Sequence, residues 1–333
     1  SSPGKSTLVP ADHLGTIGFV WDQFGAYHID RLTALGSHLT VRGDVIGLEI
    51  ATTSDTYDWA PSANGTHFRK VTLFPGENAN HIRGWRKFVA LFKAMRRERI
   101  STLFISGYET PAKLALAVVA RLTGRRVIVM NDSKFDDRPR RAARELIKRF
   151  WMLPYQGAFA SGRRAREYLY FQGFAKKHIA EGYDTVSLAR LRAEAQNVPE
   201  PEWEDRPFLI VARLVHKKNL LFALNVYKHY CSEAGSSARR LVLCGSGPLL
   251  NELLALAAKL GINDKVCFLG SQSQARVATE MAGALCLLVP SSEEQWGLVV
   301  NEAMAFSLPL LVSDAVGARD SLVCNLRNGF VLG

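Results

Sequence analysis

"ALCLLVPSSEEQWGLVVNEAMAFSLPLLVSD", residues 284–314, is the unit that decides the fold. Two apolar runs, 284–290 and 308–314, bracket a polar loop and a helix-like stretch at 298–306. Runs this continuous, without polar alternation, read as strands covered on both faces. A strand, a helix and a second strand then read as a parallel crossover. A right-handed crossover brings both strands' C-terminal ends to one edge of the sheet, where ligands bind in doubly wound folds. That edge carries Glu294, Trp296 and Gly297, with Glu302 eight positions past Glu294.

The same plan runs outward in both directions. Strand-like runs precede it at 208–213, 241–245 and 266–270, with helical stretches at 219–233, 248–260 and 274–281. The first half repeats it, with strands at 16–21, 45–51, 70–74, 102–106, 127–131 and 157–161. Helices are expected there at 26–36, 80–99, 111–123, 138–152 and 162–172. Between the halves, "RAEAQNVPEPEWEDRP" (192–207) has three prolines and a charge run that break both periodicities. The expected organisation is therefore α/β: a doubly wound domain over 1–190, a linker at 191–207, and a second doubly wound domain over 208–333. Two such domains facing a central cleft place a ligand between facing strand ends.

The 333 residues suffice for two cores, and 47% of them are hydrophobic. No window holds the ~18 uninterrupted apolar residues of a spanning helix. "SSPGKSTLVPADHL" (1–14) lacks a charged region followed by an apolar one, so no signal peptide is expected. The five cysteines lie in the second half, mostly inside apolar runs and with no C-x-x-C pair, and read as buried reduced thiols of a cytoplasmic protein. Residues 1–199 hold 30 lysines and arginines against 18 carboxylates, a net +12 out of the chain's +11. A basic first half and a neutral second half suit an acidic partner for the first: anionic lipid, a phosphorylated acceptor or nucleic acid.

On one helix, Glu294 and Glu302 would stand ~12 Å apart and ~80° out of phase. That exceeds the ~5 Å of a retaining glycosidase's carboxylate pair. The Trp296-Gly297 step is expected to open the helix, leaving Glu294 in the loop before it. The two carboxylates then address different parts of one elongated ligand. The amides of Leu298 and Val299, at the helix N-terminus, suit an anion. Carboxylates beside an anion site fit a ligand with both phosphates and hydroxyls, as in a nucleotide sugar.

Two other strand ends add to this. In "VARLVHKKN" (211–219), Arg213 closes a strand and Lys218 stands five on, two cations suited to a diphosphate, although taken alone such a pair is more commonly a solvated turn. In "LVLCGSGPLLNEL" (241–253), Gly245 and Gly247 allow close backbone approach, and Pro248 suits a first helical turn. A dinucleotide fingerprint is excluded, because the third glycine and the acidic residue ~20 positions on are missing.

In order, Arg213 and Lys218, the Gly245-Ser246-Gly247-Pro248 turn, "VCFLG" (266–270), Glu294 with Glu302, and "EAMAFSLPLLVSD" resemble the second domain of the retaining glycosyltransferases of family 4, which have the GT-B fold. The resemblance covers about 208–331; the first half matches only in general architecture. It implies that Arg213 and Lys218 neutralise the donor diphosphate and that Glu294 holds the sugar hydroxyls. It further implies that Glu302 takes the ribose hydroxyls, that the backbone of Phe268, Leu269 and Gly270 meets the base, and that the Leu298 and Val299 amides behind Gly297 meet the phosphates. It implies no resident cofactor and no metal, with a UDP- or GDP-sugar as substrate. The adjacent acids Asp136 and Asp137 read as partners of neighbouring arginines. In the family the chain continues past "NGFVLG" (328–333) into further helices, so a C-terminal tail is expected to be absent from this sequence.

The same resemblance places Gly25, the sole glycine after the first strand, near the donor phosphates. Asp22 and His28 are acceptor-side candidates, His28 reading equally as a structural residue. Where many relatives have a histidine, this sequence has Asn131 followed by Asp132; Asn131 cannot act as a base but can hold a sugar hydroxyl. Residues 84–100 and 138–155 are basic on one side and apolar on another, and read either as membrane-surface helices or as helices covering the sheet. The reading is a transferase moving a sugar from a nucleotide sugar to a saccharide acceptor, lipid-linked and used in surface polysaccharide or glycolipid assembly, on the inner face of the cytoplasmic membrane. A soluble small-molecule acceptor is the alternative. A basic nucleic-acid-binding protein is more distant, since no nucleic-acid motif accompanies the charge, and an epimerase or phosphorylase on the same architecture is a third.

Overall fold

The structure is a computed structural model that describes residues 15–39, 43–55, 65–137, 140–196 and 201–333. Residues 1–14, read above for a signal peptide, lie outside the described residues, as do 138–139 of the second basic segment and 197–200 of the expected linker. The chain divides into two compact units. One comprises residues 1–131, 141–159 and 169–180, the other 132–140, 160–168 and 181–333.

Among the described residues the first unit is built on seven strands: β1 (Thr16–Trp21), β2 (Val45–Thr53), β3 (Arg69–Asn78), β4 (Ile100–Ser106), β5 (Arg126–Asn131), β6 (Gly157–Ala160) and β7 (Ile179–Glu181). Their order is β3-β2-β1-β4-β5-β6-β7, and β1 pairs parallel with both β2 and β4. The second unit has β8 (Phe208–Val211), β9 (Leu241–Cys244), β10 (Val266–Gly270), β11 (Cys286–Val289), β12 (Leu310–Ser313) and β13 (Gly329–Leu332), in the order β10-β9-β8-β11-β12-β13, with all neighbours parallel. In each sheet the order reverses beside the first strand, so each has a switch point at the C-terminal ends of its first and fourth strands.

The apolar runs become strands because they are covered on both faces. In the second unit, Leu209, Val242 and Leu287 turn to one side, where Val300 and Ala303 of the helix Leu298–Ala305 pack. Ile210, Leu241 and Leu243 turn to the other, against Leu224 and Leu253 of the helices Leu220–Ala234 and Leu250–Leu260. All eleven expected strand runs contain strands. The short β7 and the exposed β13 were not anticipated, because three or four residues with partial burial give too little pattern.

Two expectations change, on the linker and the cysteines. The expected linker begins with structure: the helix Leu188–Glu194 is capped by the Ser187 hydroxyl, buries Leu191, and sends Arg192 Nε to the Ala305 carbonyl at 2.8 Å. Those contacts place it in the second unit, and the division between units is discontinuous rather than a single crossing at 191–207. The cysteines are not uniformly buried. Cys244 and Cys286 are, and burial pushes both thiols up to about 12, whereas Cys267, on the edge strand β10, and Cys324 are exposed. Asp136 pairs with Arg164 at 2.8 Å, both Asp136 and Asp137 pair with the buried Lys134, and the adjacent Arg138 lies outside the described residues.

The two basic amphipathic helices resolve differently. In Gly84–Arg97 the apolar face covers the sheet, burying Leu91, Ala94 and Met95 and leaving Trp85 exposed. In Ala142–Trp151 the buried residue is Glu145, and Leu146, Ile147 and Phe150 are exposed. No helix among the described residues is long and apolar enough to cross a membrane.

Candidate active site

The switch point of the second unit lies between the ends of β8 and β11, and it holds the acid and the lysine singled out by sequence. After β8 the chain passes Arg213, which is exposed, into a single 3-10 turn, His216–Lys218. Asn219 then takes a left-handed conformation, φ 55°, and the helix Leu220–Ala234 begins. After β11 the chain makes an irregular loop, Ser291–Gly297, before the helix Leu298–Ala305. The two loops are tied by backbone: the amides of Ser292 and Glu293 both donate to the Lys217 carbonyl, at 2.9 and 3.3 Å. This clamp sets Lys218 Nζ directly on Glu294 Oε2, and the Ser291 hydroxyl reaches the same oxygen at 3.4 Å. Both side chains of the pair are mostly shielded, at 17% and 14% exposure.

Glu294 is fixed from behind. Its carbonyl accepts from the Gly317 amide at 3.1 Å, and the Trp296 carbonyl from Ala318 at 2.9 Å. A Cβ on Gly317 would lie 1.8 Å from the Gln295 carbonyl oxygen, so only glycine permits this approach. Trp296 is buried, and its indole N–H donates to Asn301 Oδ1 at 2.8 Å. Gly297 stands at φ 96°, the left-handed turn that starts the helix, as the sequence reading expects. The Leu298 and Val299 amides, half-buried in the first turn, have no carbonyl within the helix to reach. An N-terminus with such donors beside Lys218 favours negative charge.

The glycine turn after β9 packs against the Arg213 segment. The Leu214 amide donates to the Ser246 carbonyl at 2.8 Å, and the Leu249 amide to the Leu214 carbonyl at 3.1 Å. A Cβ on Gly245 would fall 1.9 Å from the Ala212 oxygen, and one on Gly247 2.5 Å from the Leu214 oxygen. Gly270, which follows Phe268 and Leu269 on β10, accepts from the Gly245 amide at 2.8 Å. The segment after Arg213, the turn at 245–248 and the end of β10 are therefore tied together by backbone hydrogen bonds. Glu302 is 8% exposed inside its helix, more deeply placed than Glu294.

The first unit carries a matching pair at its own switch point. Asp22 follows β1, and Lys113, in the helix Pro111–Leu122 after β4, donates to Asp22 Oδ2 at 2.7 Å. Lys113 is 1% exposed and Asp22 43%, so a buried cation holds a carboxylate that faces solvent. Sequence reasoning missed Lys113; the signal was a lone cation in the apolar run "PAKLALAVV". It also missed Glu49, a buried carboxylate that accepts from the Phe24 amide at 2.9 Å and the Thr72 hydroxyl at 2.6 Å and pairs with Lys70 at 3.0 Å. Both charges are satisfied inside the sheet, and the Phe24 contact holds the loop after β1.

Gly25 and His28 are bound to each other. The Gly25 amide donates to His28 Nδ1 at 2.9 Å, and the His28 amide returns to the Gly25 carbonyl at 3.0 Å. Trp21 lies against the imidazole at 4.5 Å between ring centroids. Burial first, then the Arg31 charge, holds the ring well below its ordinary value of 6.5. It is a neutral acceptor at the start of a helix. That pairing gives both residues a structural task. Asn131 ends β5 at 4% exposure, and Asp132 follows it half-buried.

Two parallel sheets covered by helices, each with its switch point beside the first strand, are the GT-B class of α/β fold. Comparison with known proteins agrees. Residues 192–333 match the family model described as Glycosyl transferases group 1, and the resemblance read from Arg213 to Asp314 lies within that span. An uncharacterised glycosyltransferase of Methanocaldococcus jannaschii is 29% identical over 126 residues, 38% of this chain and 31% of the relative. A D-inositol 3-phosphate glycosyltransferase of Gordonia bronchialis is 41% identical over 81 residues, 24% of this chain and 18% of the relative. The matched stretches thus span a third or less of these curated relatives. Among solved structures, the apo lipopolysaccharide outer core galactosyltransferase WaaB has a TM-score of 0.65 at 17% identity, covering 95% of this chain and 85% of that one. Anabaena HepE in complex with UDP-glucose has a TM-score of 0.65 at 14% identity, with the same two coverages.

Proposed function

We propose that this chain is a retaining glycosyltransferase that moves a sugar from a nucleoside diphosphate sugar to a saccharide hydroxyl. The observation that carries the proposal is the Lys218–Glu294 pair at the second switch point, beside the helix that Gly297 opens. Lys218 and Arg213 meet the diphosphate, and the first-turn amides share its charge. Glu294 and, deeper in the helix, Glu302 take hydroxyls of the sugar and ribose. The acceptor oxygen bonds to the anomeric carbon as the bond from that carbon to the β-phosphate oxygen breaks. The acceptor's proton passes to the departing phosphate on the same face, so no carboxylate dyad is needed. The phosphate charge is met by these side chains and amides, without a metal. The UDP-glucose complex of HepE supports a uridine donor, with GDP-sugars as the alternative.

For the acceptor, the similarity to WaaB and the basic first half support a lipid-linked saccharide at the inner face of the cytoplasmic membrane. Asp22, held by Lys113, is the group that receives an acceptor hydroxyl, and Asn131 and Asp132 are further candidates.

Transfer from UDP-glucose, followed by product analysis, tests the reading. Lys218→Ala and Glu294→Ala are each expected to lower turnover roughly 10²-fold or more while the fold survives. Full activity in either variant contradicts the site.

A further inference from the structure

The helix Ala142–Trp151 is built inside out. Its one buried residue is Glu145, whose carboxylate accepts from Gln172 Nε2 at 2.6 Å and pairs with Lys148 Nζ at 3.2 Å. With Met152, also buried, Glu145 and the mostly covered Lys148 form the stripe that faces the unit. The opposite stripe, Leu146, Phe150 and Leu153 with Ile147 beside it, is 50–73% exposed. Spacings of four and three residues put those side chains on one helical face. A helix that covers a core does the reverse, as Gly84–Arg97 does in the same unit.

A second segment extends the patch. Gln172 binds Glu145, and the Arg149 guanidinium lies beside Gly173, so residues 169–178 run alongside the helix. They contribute Tyr170 and Phe171, both more than half exposed, with Lys176 over the Tyr170 ring at 4.8 Å. Residues 141–153 and 169–180 contain a single carboxylate, the buried Glu145, against Arg141, Arg144, Lys148, Arg149, Lys176 and Lys177. The surface is therefore apolar at its centre with a cationic excess at its margin, where Glu167, one turn before Phe171, is paired with Arg166 at 2.8 Å. A second copy of this chain would bring the same positive margin against itself. A plane of anionic headgroups over acyl chains meets both features at once.

The geometry points to this surface as a docking site for an anionic lipid bilayer, with Leu146, Ile147, Phe150 and Leu153 entering the interface and the arginines at headgroup level. The inference rests on the proposed reading of a lipid-linked acceptor and names the element that brings the enzyme to it. It also separates the two basic helices. Ala142–Trp151 binds lipid, and Gly84–Arg97 supports the sheet.

The test is co-sedimentation of the full chain with vesicles of phosphatidylglycerol and phosphatidylcholine, or of phosphatidylcholine alone, with UDP-glucose titrated into the same preparations. Wild type is expected to partition at least tenfold more strongly onto the anionic vesicles. Leu146→Ser/Phe150→Ser and Arg141→Gln/Arg144→Gln are each expected to lose at least tenfold, with melting temperature and UDP-glucose affinity unchanged, since all four residues are exposed. The inference is overturned if wild type ignores anionic vesicles, or if both variants bind as wild type does. Self-association abolished by the apolar variant, without vesicle binding, also overturns it and assigns the patch to a second copy. The donor titration reports on the transferase reading separately, so failure of one does not pass for failure of the other.

Discussion

At the scale of single residues, several charges occur here in satisfied pairs, and two of these pairs sit at switch points. Lys218 with Glu294 and Lys113 with Asp22 each join a cation after one strand to a carboxylate after another. Glu49 with Lys70 is fully enclosed and supports the loop instead. His28 belongs with the structural group, and its burial has a measurable consequence. Below its ordinary value of 6.5 the unfolded chain takes up a proton that the folded chain refuses, so stability falls as pH falls through that value. The melting temperature is expected to decline between pH 7 and 5, and less steeply in His28→Gln, whose amide oxygen can still accept from Gly25. Equal slopes in thermal scans of the two proteins contradict the assignment.

At the scale of elements, glycines let loops approach where side chains would collide. Gly245, at φ 143°, sits with its α-carbon against the Ala212 carbonyl, and Gly245→Ala places a methyl 1.9 Å from that oxygen. Urea unfolding is expected to show a loss of about 1–3 kcal/mol, with weakened donor binding because the Arg213 segment shifts with Ala212. An unchanged midpoint counts against the packing described for this turn.

The helices show what sequence could and could not carry. The run "GLVVNEAMAF" revealed its start, at Gly297, because a glycine follows the polar loop and precedes the apolar turn. The run "AARELIKRFW" has the same amphipathic period, but periodicity does not say which face turns inward. Here the buried carboxylate decides, through Gln172, a partner 27 residues away. Lys113 was hidden for a related reason: its value depends on Asp22, 91 residues earlier, and no local spacing links them.

At the scale of the whole molecule, the fold class was legible because most strands are nearly unbroken apolar runs, and eleven runs, all but one neighbouring pair separated by helices, admit little but parallel sheets. The division between units was less legible. Residues 132–140 and 160–168 join the second unit through long-range contacts that composition does not mark. The net +12 of residues 1–199 suits an acidic partner of several kinds, and only the proposal for the surface of Ala142–Trp151 narrows it to lipid. The central claim concerns the second unit's edge, and calorimetric titration of UDP-glucose into wild type and Lys218→Ala tests it most directly. The account predicts saturable binding to wild type and at least tenfold weaker binding to the variant. No binding of any UDP-, GDP-, ADP- or TDP-sugar to wild type, or equal affinity in both proteins, contradicts it.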